Sequence, residues 1–262
     1  MGLFGFSPLG KIQDQARAAA GRALEIDPVL SEAHTPLGLL KVYADWDWAG
    51  AEREFQRAIE LNPNNANAHY EYALLLARLR RFQPALAEMK RAQELEPLTA
   101  LVSLGIGQVL LYSRRPAEAI EQIQKALELD PNSPNAHYTL GQAYELRGMY
   151  HEAERELHRA IELGRGSGLG PLGHVLAASG NKAEARKILD QLLQQRDRPV
   201  ADQVATIYIG LGDKEQALQW LEKTAQERSV LSLGQLNILP YWDPVRSDPR
   251  FQDLLRRVNL KP

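Results

Sequence analysis

ALEIDP (23–28), AIELNP (58–63), AQELEP (92–97) and ALELDP (126–131) are one phrase written four times. The closing prolines, Pro28, Pro63, Pro97 and Pro131, follow one another at 35, 34 and 34 residues. A repeat of this length implies a stack of helix pairs, because one such pair cannot bury its apolar face without a neighbour. The period therefore predicts an all-α solenoid and points to binding rather than catalysis.

Within a period the pattern is helix A, a tight turn, helix B, and a turn carrying Pro or Gly. In residues 66–97, His69, Tyr72, Ala73 and Leu76 form one helical stripe, and Ala85, Met89 and Ala92 form the next. Pro84 falls in the first turn of helix B, where a missing N–H is harmless. A small residue recurs in helix A (Gly38, Ala73, Gly107, Gly141, Gly173, Ala205) and another in helix B (Ala51, Ala85, Ala119, Ala153, Ala185, Ala217). Two helices approach closely only where side chains are minimal, so a larger residue there would overpack the crossing by ~1–3 kcal/mol. The fifth and sixth units keep this register but lose the closing proline, with Gly180-Asn181 and Gly212-Asp213 as punctuation instead.

This grammar resembles the tetratricopeptide repeat (TPR) family over nearly the whole chain. The expected division is an N-terminal segment with a lone B helix at 1–29, then repeats at 30–63, 64–97, 98–131, 132–165, 166–197 and 198–229. A connector and capping helix follow at 230–262, and the stack forms a right-handed superhelix. The lone helix covers 11–26, with Ser7 and Pro8 as its start and Leu3, Phe4, Phe6 and Leu9 able to cover its open seam. The cap begins at Asp248-Pro249 and places Phe251, Leu254, Leu255 and Val258 on one face. The connector before it is held by Leu239, Tyr241 and Trp242. DWDWAGAEREFQRAIELNP (45–63), GLGDKEQALQWLEK (210–223) and WDPVRSDPRFQDLLRR (242–257) further resemble the C-terminal TPR region of bacterial multidomain regulators. That likeness implies an accessory or sensory module, since none of the regulators' effector domains is present in this sequence.

Composition narrows the function classes. The 31 basic and 33 acidic residues leave a net charge of −2, without the clustered cations that nucleic acid or anionic lipid requires. The densest basic spots, Arg78-Arg80-Arg81 and Arg256-Arg257, read as solvated helix ends. With no cysteine, disulfides and thiolate metal sites are excluded; this fits a cytoplasmic location and permits a periplasmic one. No stretch reaches the ~18–20 apolar residues of a membrane span, and MGLFGFSPLG lacks the build of a secretory signal. His151, Glu154 and His158 could share a helix face, but they fall on the outer side of helix B without HExxH spacing, so no metal is expected. GRGSGLGPLG (164–173) follows a helix rather than a strand, which removes the nucleotide reading and leaves a looser, hinge-like joint. Trp46, Trp48 and Trp220 read as packed rings. No cofactor is expected.

The TPR resemblance implies peptide binding on the concave face, lined mainly by helix A. In that register the inward residues are Tyr43, then Asn67, Tyr70 and Arg78, then Gln108 and Tyr112, then Asn135, Tyr138, Gln142 and Glu145, and finally His174. Rings give rigid apolar contact, and amides satisfy a ligand's main chain. The family's lysine–asparagine carboxylate clamp is missing: its places hold Thr35 and Leu39, Tyr70 and Leu74, and Leu104 and Gln108. The expected function is a non-enzymatic scaffold for a protein or peptide partner, with no nucleic acid and no membrane insertion. Its rivals are self-assembly through the N-terminal seam, a small-molecule sensor, and an enzyme whose only acid/base pair would be Glu145 with His174.

Overall fold

The computed structural model of the chain describes residues 8–195, 200–226 and 234–260, without the side chains of 8–11 and 167. The expectations placed on Leu3, Phe4, Phe6, Ser7 and Leu9 lie outside what is described. Helix α1 (Pro8–Ile26) precedes six helix pairs. These are α2 (Ser31–Leu40) with α3 (Trp48–Leu61), α4 (Ala66–Arg78) with α5 (Phe82–Leu95), and α6 (Ala100–Tyr112) with α7 (Pro116–Leu129). Then come α8 (Pro134–Leu146) with α9 (Tyr150–Glu162), α10 (Leu169–Ala178) with α11 (Lys182–Leu193), and α12 (Ala201–Leu211) with α13 (Lys214–Gln226). A 3₁₀ turn (Pro240–Val245) leads into α14 (Pro249–Arg257). The all-α solenoid expected from the period is the fold adopted.

The pairing rests on small residues facing large ones. A Cβ added at Gly107 would lie 2.5 Å from Ile123 Cγ1, and one at Gly141 would lie 2.7 Å from Leu157 Cγ. Phe55, Met89, Ile123, Leu157 and Leu221 occupy the bulky B-helix position, and all are fully buried. Three pairs add a polar clamp from helix A to helix B: His34 to Glu54 at 2.8 Å, His69 to Glu88 at 2.6 Å, and His137 to Glu156 at 2.7 Å. In two of them the ring's Nε2 also meets the carbonyl of the repeat's proline, Pro63 at 3.1 Å and Pro131 at 3.0 Å. The residue that marks the period in sequence thus anchors the next helix pair.

The glycines of 164–173 do not all act alike. Gly170 and Gly173 pack against α12, while Gly164, at a φ of 97°, and Gly166 have open space around them. A Cβ at Gly170 would come within 2.8 Å of Gln203 Cα, and one at Gly210 within 2.8 Å of His174 Cα, so α10 and α12 meet backbone to backbone. Gly173 opposes Ile207 of α12 rather than a residue of α11.

Each A–B turn passes through the left-handed region at one register position: Trp46, Arg80, Arg114, Gly148, Gly180 and Gly212. Around Arg80, Arg81 N–H donates to Leu76 O and Arg80 N–H to Ala77 O, the double bond of a Schellman stop. The first repeat's extra residue is absorbed as a π-helical turn, Lys41–Asp45, just before Trp46.

The C-terminal part does more than cap the last pair. Leu236, Ile238, Leu239, Trp242 and Val245 are buried, as are Phe251, Leu254 and Leu255 of α14. Arg250 pairs with Glu215 at 2.8 Å and Arg257 with Glu222, tying α14 to α13. Beyond α14 the chain reaches the first repeat. Trp48 Nε1–H donates to Val258 O at 2.7 Å, and Asn259 Nδ2–H to Trp46 O at 3.2 Å.

Denaturant melts should separate tight from open glycines. Gly107→Leu is expected to lower unfolding free energy by ~1–3 kcal/mol through overpacking. Gly21→Ala in α1, with nothing within 4 Å, should raise it by ~0.5–1 kcal/mol, because alanine is the better helix former.

Candidate functional site

The A helices place the sequence-selected residues in three groups. In the first, Arg78 ends α4 and turns back to Tyr43, whose hydroxyl accepts from Nη2 at 2.8 Å and whose ring lies 4.8 Å from the guanidinium. Arg78 is only 7 % exposed, and its Nη1 has no partner among the described residues. Arg78 is therefore no solvated helix end, which corrects the expectation for it, whereas Arg80 and Arg81 are exposed. Tyr70 and Tyr112 complete the group. Burial pushes both phenols up, Tyr112 to about 12, with the charge of Arg78 acting in the opposite sense.

The second group lies one to two repeats on. Arg165, just beyond α9, stacks over Tyr138 with its guanidinium 3.9 Å from the ring centroid and hydrogen-bonds Asn135 Oδ1. In the third group Glu145 binds His174 Nδ1, joining α8 to α10. Gln142 sits beside them, 6 % exposed, with its Nε2 unpartnered among the described residues. Asn67 stands apart on an exposed part of α4, and Gln108 is half-buried.

Residues that the sequence did not single out for the site also shape this face. Tyr241, from the connector, places its ring 5.8 Å from that of His174. Its phenol is pushed well upward, by burial first and then by Tyr138, Asp202, Tyr112 and Glu145. The connector thus lies against the A helices and takes part of the face expected to be free. Arg80 donates to the carbonyl of Asn237 at 3.4 Å and Arg114 to that of Ile238 at 3.0 Å. Arg114 also forks onto Asp243 at 2.9 and 3.0 Å. Arg80 and Arg114 hold φ values of 60° and 64° where later repeats use glycine, a conformation that disfavours any side chain by ~1–2 kcal/mol. Their 34-residue spacing at a turn was the one sequence signal available.

Two clefts flank the connector. The larger, about 610 Å³, lies where the ends meet and includes Trp46, Leu79, Asn237 and Leu260 in its walls. The smaller, about 320 Å³, lies between α8, α10 and the connector and includes Gln142, Glu145 and His174. On the outer side, His151, Glu154 and His158 share an open hollow of α9, where Glu154 and His158 are 3.8 Å apart. No described helix is long and apolar enough to cross a membrane.

Family models described as tetratricopeptide repeats match residues 54–87 and 134–166, and one described as a TPR repeat matches 116–148. Among solved structures, the Cut9–Hcn1 hetero-tetramer of the APC/C superposes with a TM-score of 0.67 at 18 % identity, over 94 % of this chain and 46 % of that one. A tetratricopeptide repeat protein from Parabacteroides merdae ATCC 43184 gives 0.65 at 17 % identity, over 94 % and 92 %. PilW, a type IV pilus biogenesis factor, gives 0.65 at 21 % identity, over 76 % and 91 %. At these identities the likeness is one of fold. No curated protein matches the chain in sequence.

Two measurements test the face. Arg114→Ala should destabilise the chain by ~1–2 kcal/mol through loss of the Asp243 and Ile238 contacts. Arg114→Gly should destabilise it less, because glycine relieves the positive φ; the usual order of alanine over glycine is thus inverted. Alkaline titration tests the buried phenols. A phenol whose folded pKa is raised from about 10 to about 12 lends stability that is complete below pH 10 and is lost as pH rises through 12. Phenolate absorbance at pH 11 should therefore show fewer ionised tyrosines in the folded chain than in the same chain unfolded in guanidinium.

Proposed function

Because the chain is a tetratricopeptide repeat protein, and such repeats are protein-interaction scaffolds, we propose that the face of its A helices binds a peptide segment of a partner protein. The observation that carries this reading is the way the same face already treats a peptide. Arg80 and Arg114 donate to main-chain carbonyls of the connector, and Tyr241 lies against His174. Those are the interactions an extended ligand needs: donors for its backbone and ring surface for its side chains. Gln142, Glu145 and His174 border the part of the face that the connector leaves open, while Tyr70, Arg78 and Tyr112 are buried. Glu145 occupies His174 Nδ1, which suits a positioning pair better than a general base waiting for substrate. The likeness of 45–63, 210–223 and 242–257 to bacterial regulator arrays supports a role as the interaction module of such a regulator.

Self-association is a second reading, favoured by Ile12, Ile26 and Val29, which are 61 %, 86 % and 61 % exposed on and just after α1. Light scattering over a concentration series separates it from the first, since a groove-binding monomer keeps one mass throughout.

A displayed library of random dodecapeptides panned against the full chain should yield binders. Their affinity is expected to fall about tenfold with His174→Ala or Tyr138→Ala, the size of a modest hot spot. It should be unchanged by His158→Ala on the outer side. Binders that ignore the first two substitutions and respond to the third would move the site to the convex surface.

A further inference from the structure

The 320 Å³ cleft is built from two sources that are far apart in sequence: α8 and α10 on one side, and the connector on the other. Its apolar walls are Leu146, Tyr150, Ala178, Pro240, Tyr241 and Pro244. Both of its acids already have partners, Glu145 in His174 and Asp243 in Arg114 and Arg246. The cleft therefore offers no uncompensated charge to recruit an ionic side chain. Its volume lies at the small end of ligand sites, enough for one large side chain and not for a folded element. Rings edge it: Tyr241 is tilted 48° to His174 at 5.8 Å, and stands edge-on to Trp242 at 5.0 Å and 71°. Such surfaces favour offset or edge-to-face contact with a further ring.

One polar group in this cleft is unanswered. Gln142 is 6 % exposed, and its Nε2 finds no acceptor among the described residues. A buried donor left unmade is costly, and native proteins seldom carry one without a reason. A carbonyl oxygen in the cleft would satisfy it once the Gln142 side chain, which lines the cleft, turned its closed-in amide toward the opening.

We propose that this cleft is an anchor site for one aromatic side chain of the partner's segment, with the Gln142 amide donating to a main-chain carbonyl next to that side chain. The inference rests on the peptide-binding reading above and deepens it by naming the class of residue recognised. It also makes the connector part of the site, since Pro240, Tyr241 and Pro244 complete the wall that the repeats leave open.

The test uses the full chain and N-acetyl-tryptophan amide as probe, followed in ¹H–¹⁵N spectra, with N-acetyl-alanine amide as control. Saturable shifts are expected at the Gln142 side chain and along 142–146 and 174–178 with the tryptophan probe alone, with half-saturation in the millimolar range. Ala178 is exposed, so Ala178→Phe fills the cleft without disturbing the core, and it should abolish those shifts while the circular dichroism is unchanged. Gln142→Met keeps the shape and removes the donor, and should weaken the probe about fivefold. Equal shifts with the alanine probe, binding untouched by Ala178→Phe, or shifts centred instead on the cleft of Trp46 and Leu260 would each overturn the proposal. If that happens while library peptides still depend on His174 and Tyr138, the anchor inference alone falls. If no library peptide binds either, the peptide-binding reading falls with it.

Discussion

The structure depends on how closely one helix of each pair can approach the other. Where Gly107 meets Ile123 and Gly141 meets Leu157, the added methyl of an alanine would already overlap its neighbour. The bulky B-helix residue fills the space that the small residue leaves, and close packing permits no void to relieve a change on either side. This contact sets the tilt of each pair. Repeated down the stack, a small rotation per pair becomes the curvature of the whole array. The histidine clamps act at the same level, since His69 and His137 each join a B-helix glutamate to the proline carbonyl that ends the preceding unit.

Curvature then decides what the inner face can hold. It brings residues of successive A helices close enough for Glu145 to bind His174 and for Tyr112 to respond to both Arg78 and Arg165. It also leaves a space that the connector enters. The first two arginines at the turn position accept an unfavourable φ, and their side chains reach connector carbonyls 157 and 124 residues along the chain. Later repeats, with Gly148, Gly180 and Gly212 in that place, avoid the strain and make no such reach. Local strain held at a position where a side chain is needed is the usual trade at a working surface.

The fifth and sixth pairs show how one composition can serve opposite ends. A glycine-rich stretch after a helix suggests freedom, and by sequence 164–173 is a looser joint. Its Gly170, with Gly210 of the sixth pair, lets α10 and α12 touch, while Gly164 and Gly166 keep open space around them. The absence of a side chain is the same fact in both readings; only the neighbour across the interface distinguishes a hinge from a tight seam. Arg78 teaches the same lesson. A basic cluster at a helix end is normally solvated, yet this arginine folds back beneath Tyr43 into the face of the array.

What the sequence determined by itself is what repeats: the helix pairs, the turn positions, and the small-to-large crossings at Gly38, Gly107 and Gly141. These follow from contacts within one or two periods, and such contacts leave a periodic trace. The tertiary structure alone decided the path of the connector, the placement of Tyr241 against His174, and the meeting of Trp48 with Val258. Those contacts join residues 67 to 210 apart in sequence. They depend on the summed rotation of six pairs, a quantity that no single repeat encodes.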